Sequence, residues 1–483
     1  MQWRDDERSL DFAVAIAHPF NRIPSMPPSI TQTIGEYIGE ESFSRLPPEV
    51  IHKSKLCIMD SIGCLFGARN LPVSRMMDSF LTDNYAAGPG VRLLDPGMSA
   101  FRKASLINAL DFDDIYEKGH PGATVIAAAL SMTAHRECSG ADFLEAVVVG
   151  YEVSCRVGIS LLHRTPRKTL HGHGTWQTFG ATAAAAKLMR LDAGQAAQAI
   201  AIAAANAPVA SVMKTVYGKA PSMAKNNFGA AAQTGVNAAR LAAAGFEGPL
   251  DIFEGQTGFW RMAGADDCDF GRLTRSFGSI YEISKVGFKP FSCCRLIQNS
   301  VQACRDVFTM AGIDAAASER IKLGVTAPPI VCEPPFSTVR PKDMWAAQFS
   351  APHAIAMAVL GVEPGPDWFA EDWLRHDIAG SLQDIIEFMP RSARDLFREP
   401  HAASACLHLH DGRVLEKYVP LADGEAANPM QESALETKFL RLASPTVGDK
   451  ASLELLDRLQ NLKSATSVQP LVRFVSGSMS TAA

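Results

Sequence analysis

The sequence has no cysteine pair at C-x-x-C spacing, no run of clustered lysine and arginine, no glycine-rich phosphate loop and no apolar stretch of membrane-spanning length. Each absence removes a class of function. The 10 cysteines stand singly in apolar surroundings, as at Cys57, Cys64, Cys155 and Cys304, apart from the adjacent Cys293-Cys294. Neighbouring cysteines rarely bridge each other, so a disulfide framework is not expected, and a reducing, cytoplasmic location is. With a net charge of −5 and no basic stripe, the chain is not expected to bind nucleic acid. Neither G-x-G-x-x-G nor a Walker A sequence is present, which leaves nucleotide-dependent chemistry without support. Ala196–Val212 is among the longest apolar runs, but Gln198, Asn206 and Pro208 interrupt it before the ~18 residues a membrane span needs. The early residues are acidic and lack a long apolar core, so no secretory signal is expected.

At 483 residues the chain is too long for one ordinary core, and two domains are expected. Residues 1–28 end in Arg-Ile-Pro-Ser-Met-Pro-Pro and read as an extension. From Thr31 to about Lys285 the pattern is helical. Pro47-Pro48-Glu49 opens a helix, because proline at the first turn loses no intrahelical bond. Ser139-Gly-Ala-Asp142 is a plausible helix start. The alanine-rich runs Phe179–Met189, Ala193–Ala205 and Ala230–Ala244 favour helix and allow close helix approach, with Gly245 ending the last. After Lys289 the character changes. Arg320–Thr326 alternates like a half-buried strand. Ser404–His410, Asp411-Gly412 and Arg413–Val419 read as a β-hairpin with a two-residue turn. Ala347–Val359 reads as a helix between them, and helical periodicity returns from Ser433 to Leu462. The fold class is therefore mainly α with an α+β second domain. The expected division is an extension at 1–28, a large all-helical domain at 29–286 completed by 425–483, and a smaller α+β domain at 287–424.

The stretch most suited to chemistry is Ala109-Leu-Asp-Phe-Asp-Asp-Ile-Tyr-Glu-Lys-Gly-His-Pro-Gly122. It sets Asp111, Asp113 and Asp114 a few residues before His120. Carboxylates beside an imidazole suit proton transfer, since one group can act as base while the other is tuned near neutral pH. The bland alternative is an acidic helix end followed by a loop. His171-Gly-His173 suggests a metal pair or a turn, but no third ligand nearby completes a zinc pattern, so no metal is expected. Lys219 and Lys225 are solvated lysines or carboxylate binders. Cys293-Cys294 offers a nucleophile only if its thiol pKa is lowered with a base in reach. His408 and His410 share one strand face and read as exposed sheet histidines.

Four of these segments together carry a resemblance. Ala-Leu-Asp-Phe-Asp-Asp with His-Pro-Gly, Leu170-His-Gly-His-Gly-Thr-Trp-Gln-Thr-Phe-Gly-Ala181, Ser222-Met-Ala-Lys225 and Lys289-Pro-Phe-Ser-Cys-Cys-Arg295 resemble, in order and spacing, the MmgE/PrpD family. That family includes 2-methylcitrate dehydratases, cis-aconitate decarboxylases and iminodisuccinate epimerases. The resemblance implies a lid formed by the smaller domain, a site between the domains, a homodimer, and no cofactor. It implies catalytic roles for Asp111, His120, His171 and Lys225, with Lys219 as the alternative register. It implies substrate contacts from Lys289, Arg295, Cys294 and His173, with loss of Lys289 weakening substrate binding rather than unfolding the protein.

The chain departs from the family pattern where it has Ile115 and His173 for threonine, Gln298 for histidine, and His353 for tyrosine. The implied activity is a cofactor-independent lyase acting on a small di- or tricarboxylate. Dehydration of a 2-methylcitrate-like acid comes first, with decarboxylation of a cis-aconitate-like acid close behind. Epimerisation of an amino- or imino-diacid and a non-catalytic homodimer of the same fold are the alternatives.

Overall fold

The computed structural model describes residues 28–85, 95–117, 119–162, 172–209, 212–215, 227–313 and 321–477. His171, Lys219, Lys225 and nearly all of the N-terminal extension lie outside them. The described chain is mainly α with a small mixed sheet in its C-terminal part.

The first half builds helices α1 (Ile30–Glu40), α2 (Pro48–Gly67), α3 (Pro72–Tyr85), α4 (Pro96–Ile107), α5 (Pro121–Thr133), α6 (Gly140–Ser160), α7 (Gly174–Leu188) and α8 (Ala193–Asn206). Their starts follow local chemistry. Ser139 and Asp142 form a reciprocal capping box on α6, and Asp192 with Gln195 does the same on α8. Every residue of α5 is buried, which its composition allows because none carries a charge. Small residues let its neighbours close in. A Cβ added at Gly150 would lie 2.9 Å from the Gly180 carbonyl oxygen, and one at Gly235 would lie 2.7 Å from that of Thr178. These crossings of α6, α7 and the Phe228–Ala243 helix therefore depend on the missing side chains.

The sheet runs in the order Ile386–Pro390, Lys322–Ala327, Ala403–His408, Val414–Val419. The first pair is parallel and the other two are antiparallel. Leu323, Val325 and Ala327 face the core, as the alternation predicts. The Gln298–Ala311 helix packs on the two hairpin strands. The Ile386–Pro390 strand is missed in the sequence because it is short, ends on proline and lies at an edge, where proline is tolerated.

The hairpin turn also differs from expectation. Leu409 N–H donates to the Arg413 carbonyl, which leaves the three-residue connection His410-Asp411-Gly412 with Gly412 at φ 88°. His408 ends its strand and His410 lies in this connection. Ala347–Val359 is split, with helices at Met344–Ala347 and Ala351–Val359. The chain then returns to the first half, and the Glu432–Val447 helix packs against α2. No helix among the described residues is long and apolar enough to cross a membrane.

Among the described residues, one buried lysine has no carboxylate as a hydrogen-bond partner. Lys103 on α4 donates to the hydroxyls of Ser99 at 2.5 Å and Ser131 at 3.4 Å. Burial and then the Arg102 charge bring its pKa down to about 7. The unfolded chain keeps that proton up to about pH 10.4, so stability rises with pH between these values, by on the order of 1.4 kcal/mol per unit. Lys103→Met should flatten this rise in denaturant titrations at pH 7, 8 and 9. An unchanged slope would show that Lys103 is charged in the folded protein.

Candidate active site

The acidic segment is a loop between α4 and α5, anchored at both ends. Asp111 N–H donates to the Asn108 carbonyl at 3.0 Å, just past the end of α4. Asp111 has φ 50°, a left-handed conformation that is uncommon outside glycine and clusters at functional sites where the surroundings enforce it. Further along, Ile115 and Gly287 exchange two backbone bonds of 2.9 and 2.8 Å. Gly287 must be glycine here, since a Cβ would come within 2.4 Å of the Gly424 carbonyl oxygen. This bridge ties the acidic loop to the segment that carries Lys289.

Lys289 is fully buried. Its Nζ donates to Asp111 Oδ1 at 2.6 Å and to the Asp111 carbonyl at 2.7 Å. Asp111, Asp113 and the bond to Asp111 together outweigh burial and hold the ammonium above the ordinary lysine range.

His120 sits at the N-terminus of α5, and Pro121 begins the helix after it. Its Nδ1 lies 2.8 Å from the Asp114 carbonyl oxygen, which can only accept, so Nδ1 carries the proton in the neutral ring. Nε2 is then directed to Asp111, with Oδ1 3.9 Å away. Burial, then the Lys289 charge, holds His120 well below the ordinary imidazole range, against the opposing pull of Asp111. Asp113 accepts from Asn108 Nδ2 at 2.8 Å and lies 3.7 Å from His120 Nδ1. Asp114 accepts from Tyr151 Oη at 2.7 Å and from Gly122 N–H at the start of α5. Burial raises its carboxyl well above the usual range, and Asp113 and Asp60 push the same way.

The other expected residues divide. The His173 ring is 5.8 Å from that of His120 and 5.3 Å from Trp176, which brings the end of the His171-Gly-His173 motif to this centre. Phe228 is edge-on to His120 at 5.9 Å. Cys294 is half-buried, and its N–H donates to the Gln348 carbonyl. Cys293 is fully buried, and burial pushes its thiol well up, which opposes a nucleophilic role.

Arg295, expected as a carboxylate binder, is gripped bidentately by Glu425 at 2.9 and 2.7 Å and donates to the Tyr116 carbonyl. Its charge is already matched inside the protein. His353 is buried, with Nε2 2.7 Å from the Trp368 carbonyl oxygen. Gln298 donates to the carbonyls of Phe291 and Cys293, so it braces the Lys289–Arg295 segment from within.

Among the described residues, Asp111, Asp113 and His120 offer donor atoms all within 4.8 Å of one another. The Lys289 ammonium occupies Asp111 Oδ1 and sets a positive charge where a cation would have to sit. The cluster is therefore better suited to moving protons than to holding a metal ion.

Lys438, Asp60 and Gln348 also converge here, and the sequence reading misses all three. Gln348 Nε2 donates to the Ala109 carbonyl at 2.7 Å. Lys438 follows Leu435 by three residues and precedes Leu442 by four, in the middle of an apolar helical stripe. A lysine in that position was the available signal, since lysine is almost never fully buried without a partner.

A family model described as the MmgE/PrpD N-terminal domain matches residues 32–270, and one described as the MmgE/PrpD C-terminal domain matches residues 291–462. The chain is 24% identical to a cis-aconitate decarboxylase-like protein of Aspergillus oryzae, oryM, across 93% of this chain and 98% of that one. It is 30% identical to the cis-aconitate decarboxylase of Homo sapiens over 48% of this chain and 50% of that one. It is 21% identical to the cis-aconitate decarboxylase of Aspergillus terreus across 92% and 96%. Matched along both halves by the two domains of one family, the chain is a member of the MmgE/PrpD family.

Proposed function

We propose that the protein is a cofactor-independent lyase that decarboxylates a small, unsaturated di- or tricarboxylate of the cis-aconitate type. The observation that carries this reading is the buried triplet of Lys289, Asp111 and His120, with Nε2 of a largely neutral imidazole turned toward an ion-paired carboxylate. The names of the relatives favour decarboxylation over dehydration.

In such a reaction the C–C bond to the departing carboxylate breaks and CO₂ leaves. The electron pair of that bond becomes the new double bond. The pair of the old double bond then takes one proton at carbon. His120 Nε2 is the proposed proton carrier, and Asp111 balances its charge. Lys289 shares its ammonium between Asp111 and a substrate carboxylate. His171 and Lys225 are proposed to complete the centre, with His173 and Cys294 lining it. The division into a helical domain at 29–286 with 425–483 and a lid at 287–424 belongs to the same reading, as does a homodimer.

The test is turnover of cis-aconitate, 2-methylcitrate and an amino-diacid in D₂O, followed by NMR. Decarboxylation should release CO₂ and leave one deuterium on the protonated carbon of the product. Alkene signals from 2-methylcitrate would replace decarboxylation with dehydration. Deuterium exchange at an α-carbon without net conversion would indicate epimerisation. No turnover of any of them would overturn the lyase reading.

A further inference from the structure

The geometry points to Lys438 as a positioning residue that clamps the backbone of both halves of the Asp111–Lys289 pair from behind. This rests on the proposed site at Asp111, His120 and Lys289. The Glu432–Val447 helix comes from the C-terminal return of the chain, far in sequence from either half. Lys438 is 4% exposed. Its Nζ donates to Asp60 Oδ1 at 2.7 Å, to the Phe112 carbonyl at 2.6 Å and to the Lys289 carbonyl at 3.1 Å. Those three bonds use all the donors an ammonium has. The same Nζ lies 3.8 Å from the centre of the Phe112 ring, a cation–π contact.

The acceptors give the arrangement its meaning. Phe112 stands between Asp111 and Asp113, so its carbonyl belongs to the Phe112–Asp113 peptide, one residue beyond the left-handed Asp111. The Lys289 carbonyl belongs to the residue whose ammonium Asp111 holds. A strained residue persists only where its surroundings over-determine it. Lys438 supplies part of that determination and fixes the distance between the two backbones. Asp60, buried on α2, balances its charge. A buried pair that only joined α2 to the returning helix would need Asp60 and no backbone acceptor from the site.

The test separates the two roles. Lys438→Met alone leaves Asp60 buried without its partner and would lose stability in either case. The informative variant is Asp60→Asn with Lys438→Met, which removes both charges and keeps the volume. Its kcat on the best carboxylate should fall about tenfold to a hundredfold with little change in KM, as expected when reacting groups are misplaced rather than removed. Amide hydrogen exchange, read by mass spectrometry, should quicken in peptides spanning 109–117 and 286–294 while the thermal midpoint stays near wild type.

Asp60→Asn alone leaves the Lys438 charge uncompensated and should lower the thermal midpoint, but both carbonyl acceptors stay in place and the folded enzyme should keep most of the wild-type kcat. A double variant with wild-type kcat and wild-type exchange would overturn the proposal. So would an Asp60→Asn variant that loses as much activity as the double. The exchange measurement needs no substrate, so it decides the clamp even if wild-type turnover fails and takes the lyase reading with it.

Discussion

Lys289→Met is expected to remove activity and to unsettle the fold together. The fully buried ammonium carries two bonds to Asp111, one to the carboxylate and one to the carbonyl. Removing one member of a buried ion pair leaves the other charge without compensation, a loss of about 3–5 kcal/mol. Losing a charge-assisted bond to a substrate carboxylate adds about 1.5–3 kcal/mol to the barrier, roughly ten- to a hundredfold in kcat/KM. From the sequence Lys289 reads as a cleft lysine whose loss spares the fold. Its complete burial reverses that expectation.

The second variant to make is Asp111→Asn with Lys289→Met. It removes both charges, so the thermal midpoint should recover most of its value while kcat/KM stays low. An unchanged midpoint in the single variant, or recovered activity in the double, would show that this pair is not the centre of the site.

His120→Gln is expected to lower kcat by about a hundredfold to ten-thousandfold with KM little changed, the range for loss of a positioned general acid or base. The fold should tolerate it, since a glutamine amide can also donate to the Asp114 carbonyl that Nδ1 reaches. The variant also has a pH signature. Folding holds His120 well below the ordinary imidazole pKa, so below about pH 6.5 the unfolded chain takes up a proton that the folded chain resists. This contribution to stability is present above that pH and is lost as pH falls. His353 and His401 are shifted in the same direction and add to the slope. His120→Gln should therefore make the acid-side slope shallower without abolishing it. Denaturant titrations from pH 7 down to pH 5 measure it, and an unaltered slope combined with full activity would remove His120 from the mechanism.

Several features were legible in the chain because their causes are local. Proline at a first turn, a Ser139–Asp142 capping box and alanine-rich runs specify helices through bonds and sterics within a few residues. The hairpin was legible in position but not in register. Gly412 tolerates its positive φ in several loop lengths, and only the Leu409–Arg413 bond selects three residues. The candidate site residues were legible as separate motifs, and Asp111, His120 and Lys289 from two of them lie together in the structure. His173 lies beside them.

What spacing along the chain could not show is which charges are spent on one another. Glu425 lies 130 residues from Arg295 and takes both arms of its guanidinium. Lys438 lies 149 residues from Lys289 and 326 from Phe112, yet bonds to both. The amino-acid sequence by itself determined the helices, the presence of a mixed α+β part and the residue types available for proton chemistry. Tertiary structure alone decided which lysine is paired to Asp111, which arginine is already neutralised and which imidazole nitrogen faces the carboxylate. The physical reason is that burial makes pairing obligatory, and partners for a buried charge are found across space rather than along the chain.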